Sequence, residues 1–222
     1  MTPRRTTASV LAIGMGMAMG VGLAACGGSA KATPTTTSAP TTTTTAALAP
    51  AQSAALKPLL MTTSDFPTGW AQDTAKNAAG TKGTPACVAN LVLLKGSATS
   101  ASVVFASPGK NPTAVIQTAG MFAPNQAAAS VKTLKSSFES CNGGTLQSGS
   151  VTARIGIKPI HGISTGDAGF ADQMTLTEGN QSSYLDVLYA VKGSNAVFLG
   201  WSTTTAATTF FAQLVPKAVA KI

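Results

Sequence analysis

Four closely spaced runs of alternating apolar and polar residues lie towards the C-terminus, and they limit the fold of this chain more than any other feature. Ser150–Ile157, Phe170–Thr177, Ser183–Val191 and Ala196–Thr203 carry the period of two that a β-strand requires. The last three are joined by Glu178-Gly179-Asn180-Gln181 and Lys192-Gly193-Ser194-Asn195, which are short and hairpin-like. An antiparallel meander is predicted. Upstream, Ser100–Ala106 and Val115–Phe122 are further strand candidates.

The clearest helix is predicted over Pro124–Cys141, where Ala128, Val131, Leu134, Phe138 and Cys141 share one face. Lys132, Lys135, Ser136 and Glu139 point away, and Asn142-Gly143-Gly144 stops the helix. A closing helix over Ala206–Ile222 turns Phe211, Leu214, Val215, Ala218 and Ile222 inward, with Pro216 bending it or setting its first turn. Before the strands, Thr63 or Ser64 can cap a single helical turn, and Pro67–Gly69 turns the chain so that Trp70 enters a first strand. Asp73–Thr84 reads as a polar loop and Pro85–Leu91 as another short helical turn. These elements make one domain over residues 54–222, with no internal repeat.

The residues before 54 have a different character. Arg4 and Arg5 precede an apolar run from Val10 to Leu23 that is too short and Gly-rich for a span of about 20 apolar residues. It ends in Leu23-Ala24-Ala25-Cys26, a cysteine behind two small residues, which resembles a bacterial lipoprotein signal peptide. That resemblance implies cleavage before Cys26, a diacylglyceryl group on its thiol, and attachment to the outer face of the cell membrane. Residues 26–53 are rich in Thr, Pro and Ala, with Thr41–Thr45 unbroken, and predict a disordered tether. Such a tract serves equally as an O-glycosylated stalk or an unmodified spacer.

The formal charge of +8 falls to +6 without Arg4 and Arg5, and the remaining basic residues are scattered. Lys132 and Lys135 are the one close pair, and no aromatic residues interleave with a basic run, which argues against nucleic acid as a partner. With Cys26 lipidated, Cys87 and Cys141 remain as an even pair in an oxidising compartment. A disulfide is the economical reading, and two buried thiols are the alternative. A bridge would staple the helix ending at Cys141 to the sheet.

In order along the chain, Leu59-Leu60, Asp65-Phe66-Pro67-Thr68-Gly69-Trp70, Pro85-Ala86-Cys87, the helix ending in Cys141, the Gly166-Asp167 turn and the terminal meander plus helix resemble one family. It is the extracytoplasmic sensor domain of actinobacterial PknH-type Ser/Thr kinases, with the envelope lipoproteins that carry this domain alone. The resemblance spans residues 54–222 and implies an α+β fold: a strongly twisted antiparallel sheet flanked by helices, with a cleft proposed to bind an external ligand. The chain departs from the kinase sensor in having one candidate disulfide rather than two, and in lacking a kinase domain. The Mog1/PsbP-like fold is a second similar architecture.

Candidate chemistry is sparse. Gly162-Ile163-Ser164-Thr165-Gly166 matches the G-x-S-x-G elbow, with His161, the single histidine, beside it. An elbow needs a helix after the serine and the histidine later in the chain, whereas turn residues Gly166–Gly169 follow and His161 precedes. No catalytic residue is therefore assigned, and an envelope hydrolase using Ser164 stays as the alternative. One histidine and a cysteine pair do not build a metal site, and no cofactor or phosphate-cradling loop is predicted. Asp172 and Asp186 fall on the apolar faces of their strands, with Met174 and Leu176, and with Leu188 and Ala190. A carboxylate so placed must be paired, neutralised or solvated in a cleft. Either can mark a binding cleft that Trp70 and Trp201 line; pairing with a lysine or Arg154, and packing of both tryptophans in the core, are the plainer accounts. The expectation is a monomeric, non-enzymatic, lipid-anchored domain that binds a small ligand or an envelope protein, or else a structural surface lipoprotein.

Overall fold

In the computed structural model, which describes residues 54–74, 86–110, 112–148 and 151–222, eight strands form one antiparallel sheet. They are β1 (Ala71–Gln72), β2 (Thr99–Ala106), β3 (Ala114–Met121), β4 (Thr145–Ser148), β5 (Val151–Pro159), β6 (Ala168–Glu178), β7 (Gln181–Lys192) and β8 (Asn195–Thr203). The helices are α1 (Ala86–Val92), α2 (Gln126–Glu139) and α3 (Thr209–Val219). The strand order β1-β2-β3-β8-β7-β6-β5-β4 shows two meanders joined side by side, β3 pairing with β8. The α+β class and the antiparallel sheet flanked by helices are as the sequence and its resemblance led us to expect. Cys26, the predicted signal-peptide segment 1–25, the tract 26–53 and most of the predicted Asp73–Thr84 loop lie outside the described residues.

Burial on both faces explains the long apolar runs of the central strands. On one face Phe170, Met174, Val187, Tyr189 and Phe198 pack under α1 and α2 with Leu91, Leu134 and Phe138. On the other, Ala171, Leu188, Leu199 and Trp201 pack under α3 with Phe211, Leu214 and Val215, joined by Met61 and Phe66 from the first segment. That segment is held by Gln117 on β3, whose Oε1 accepts the Met61 N–H (2.6 Å) and whose Nε2 donates to the Leu59 carbonyl (2.9 Å). The phenol of the fully buried Tyr189 meets Ser130 Oγ on α2 (2.6 Å), so its hydroxyl under this helix is satisfied.

Several local details depart from the sequence reading. The inward residue of the first turn of α2 is Ala127 rather than Ala128, which is exposed. The 3-10 turn Thr63–Asp65 is capped from Thr62, one residue early: the Thr62 N–H and Oγ1 both donate to Asp65 Oδ2 (2.7 and 3.2 Å). The Cys87–Cys141 disulfide, with Cα atoms 6.2 Å apart, ties α1 to the end of α2, hence helix to helix rather than helix to sheet. Beside it Asn90 Nδ2 donates to Ser137 Oγ (3.0 Å), so the two helices form one layer.

Candidate functional site

The two carboxylates on apolar faces are on opposite sides of the sheet. The β6–β7 hairpin turns at Gly179–Asn180 with Glu178 opposite Gln181, and counting back places Asp172 opposite Val187 and Asp186 opposite Gln173. Asp172 therefore faces α2 and Asp186 faces α3, and the four candidate residues do not line a common cleft.

Asp172 is at the floor of a cavity of about 230 Å³ lined by Lys135, Glu139, Asn142, Ile157, Lys158 and Pro159. Its position follows from the edge of the sheet. Strand β4 pairs with Val151–Arg154 alone, so beyond Arg154 the turn after α2 takes over as the neighbour of β5. There the Gly143 N–H donates to the Ile155 carbonyl, the Ile155 N–H to the Gly144 carbonyl, and the Ile157 N–H to Asn142 Oδ1, each 2.9 Å. Pro159, with no N–H to leave unpaired, closes the edge opposite Asp172. Asp172 is 3% exposed and its Oδ2 meets no donor among the described residues. Burial pushes this carboxyl above the ordinary carboxylate range; Lys135 opposes that and Glu139 adds to it.

Asp186, fully buried, belongs to a cross-strand row that runs Lys158, Gln173, Asp186, Trp201, Val115, Phe105 from β5 to β2. Gln173 Nε2 donates to Asp186 Oδ1 (2.7 Å) and to the Ala206 carbonyl (3.2 Å), which fixes the connection between β8 and α3 over the row. Asp186 Oδ2, Gln173 Oε1 and Trp201 Nε1 have no partner among the described residues. Burial raises the Asp186 carboxyl, against the Gln173 hydrogen bond and the charge of Lys158. Trp201 and Trp70 meet through Phe210, at ring separations of 5.2 Å each, and Trp70 stacks on Phe66 at 5.1 Å. Asp186 and the two tryptophans thus share a face, in a packed aromatic cluster.

The expected neutralising cations do not form ion pairs with either acid among the described residues. Arg154 and Lys158 alternate onto the face of Gln173, away from Asp172, and Lys135 pairs with Glu139 at 3.7 Å. Ser164 and His161 are exposed in the connection from β5 to β6, where a strand and not a helix follows the serine. The nearby Asp167 is engaged elsewhere, its Oδ2 accepting the Gly193 N–H (2.9 Å). No three His, Cys, Asp or Glu side chains converge among the described residues. Sequence reasoning missed Gln173, Asn142, Glu139 and Lys135 as site residues; the short turn at Gly179–Asn180 was the available signal for Gln173, since it sets which residue stands opposite Asp186.

No family model matches the chain, and no curated protein sequence matches it. Among solved structures, the extracellular domain of PknH from Mycobacterium tuberculosis is similar in fold, with a TM-score of 0.52 at 16% identity over 74% of this chain and 93% of that one. A protein from Bacteroides thetaiotaomicron aligns at a TM-score of 0.34 and 10% identity, over 68% of this chain and 41% of its own.

Proposed function

We propose that this chain is a lipid-anchored cell-envelope protein, attached through Cys26, whose extracytoplasmic domain binds a small ligand or a protein partner without catalysis. Cys26 behind Leu23-Ala24-Ala25 supports the anchor, and the fold, similar to that of the extracellular domain of PknH, supports the location. The observation that carries the reading is the cavity over Asp172: a concave site with a buried carboxyl oxygen that meets no donor among the described residues. Buried polar atoms are nearly always partnered, and a binding site is where the exception has a use.

The test is native mass spectrometry of the protein extracted from membranes in detergent and incubated with envelope extract. A defined added mass, lost in Asp172→Asn, is the expected result. A clean apo mass, under conditions that preserve a control complex, would move the assignment to a protein partner or a structural role.

A further inference from the structure

We infer that the cavity over Asp172 receives the protonated primary amine of a small ligand, with Asp172 as buried counter-charge and Glu139 as a second acceptor at the rim. The inference rests on the binding reading above and assigns its ligand class. Each neighbour that might satisfy Asp172 Oδ2 from within the protein is otherwise placed. Pro159, opposite on β5, has no N–H. Asn142 accepts the Ile157 N–H through Oδ1, and its Nδ2 makes no hydrogen bond to Asp172 Oδ2. Lys158 borders the cavity, but alternation sends its side chain to the face of Asp186, the carboxyl on which its charge acts. Lys135 is the one cation that acts on Asp172, and its ammonium sits 3.7 Å from Glu139 with both side chains about half exposed (44% and 50%).

Two carboxyl groups and two lysines thus border the cavity, but among the described residues Lys135 alone acts on Asp172, while the charge of Lys158 acts on Asp186. An anionic ligand would add a third negative charge beside a carboxylate that burial already disfavours. A hydroxyl would bring one donor and no charge. An alkylammonium brings the missing charge and three N–H donors, enough for Asp172 and Glu139 together, and charge-assisted bonds are about twice as strong as neutral ones. The volume of about 230 Å³ is below the roughly 300–1,000 Å³ of drug-sized sites, which restricts the ligand to a compact body of the size of an amino sugar or an amino acid. Ile157 and Pro159 give that body an apolar wall.

The test is isothermal titration calorimetry on the detergent-solubilised full-length protein, with D-glucosamine and cadaverine as probes and D-glucose and acetate as uncharged and anionic controls. Both amines are expected to bind saturably and glucose at least tenfold more weakly, as a lost charged hydrogen bond requires. Asp172→Asn should weaken the amines by about tenfold or more. Because a variant at a buried site can fail to fold, two surface variants carry the same question: Glu139→Gln should weaken binding about threefold, and Lys135→Ala, which removes the competing internal ammonium, should tighten it about threefold. Glucose or acetate binding as well as the amines, in a manner that responds to these substitutions, would overturn the amine while leaving the binding function standing. Absence of binding by both amines overturns the inference as well, and native mass spectrometry with envelope extract then decides separately whether the binding function survives.

Discussion

Asp186 has one oxygen held by Gln173, while the other, like Trp201 Nε1 beside it, has no partner among the described residues. Because burial raises its folded-state affinity for a proton, the folded protein binds more protons than the unfolded chain between the ordinary carboxylate value near 3.8 and the raised one. Stability from this group therefore falls as pH rises through that window, and the cost is complete above it. Asp172 acts with the same sign. Asp65 acts with the opposite one: burial pulls it upward, but the Thr62 N–H and Lys221, 3.3 Å away, hold it below its ordinary value, so its contribution is lost as pH falls below that value. Asp186→Asn should remove the cost at neutral pH. Urea denaturation should show the variant more stable than the parent at pH 7, by about 1 kcal/mol, the scale of one buried hydrogen bond, and level with it near pH 3; a gain that does not depend on pH would show that charge is not the cause. Ser164 makes a second residue-scale prediction. Exposed on a loop with no helix behind it, it should not react with a fluorophosphonate probe; labelling of the native protein that Ser164→Ala abolishes would replace the binding assignment with a hydrolase. That Asp172 and Asp186 lie on apolar faces was legible from alternation alone. Their separation onto opposite sides of the sheet was not, because alternation relates residues within a strand, and only register relates one strand to the next.

At the scale of elements, strong periodicity was legible and weak periodicity was not. β2, β3, β6, β7, β8, α2 and α3 all stand where the sequence placed them to within a few residues, since each buries a long apolar face. β4, with the sequence Thr145-Leu146-Gln147-Ser148, has a single apolar side chain and escaped notice; it is a strand because β5 supplies its hydrogen bonds. The inward turn at Ala127 differs from the expected Ala128 by one residue, as small residues in a row leave helical phase undetermined. The disulfide shows why contacts between elements need the fold: the cysteine pair was legible, but its helix-to-helix role depended on α1 lying against α2. Since the bridge closes 54 residues of chain, it should stabilise the domain by about 4 kcal/mol through the unfolded state. Cys87→Ser with Cys141→Ser should lower the urea midpoint accordingly, and hydrogen exchange should rise first in the seven residues of α1, which the bridge ties directly to the end of α2. Counting thiols on the denatured, unreduced protein checks the premise, and none should be found at Cys87 or Cys141.

The whole molecule joins a sheet with both faces covered to a cysteine at position 26, and these two parts make separable predictions about where the protein resides. Within the domain, helices cover the central strands on both sides, and few large apolar side chains reach solvent: Leu93 at 55% and Met121 at 38% exposure. Among the described residues no helix is long and apolar enough to cross a membrane. Under the proposed processing, the acyl groups on Cys26 supply membrane affinity. A single acyl chain holds a protein marginally, and stable attachment needs a second signal, which the several chains of a mature lipoprotein provide. Detergent phase separation on cells expressing the full chain reads this directly. The parent protein should enter the detergent phase. Cys26→Ala should move it to the aqueous phase with no change in the domain's melting temperature, because the substituted residue is outside the sheet and its helices. Partitioning that is unaltered by the substitution would refute the lipid anchor and would assign membrane association to the domain surface or to a partner.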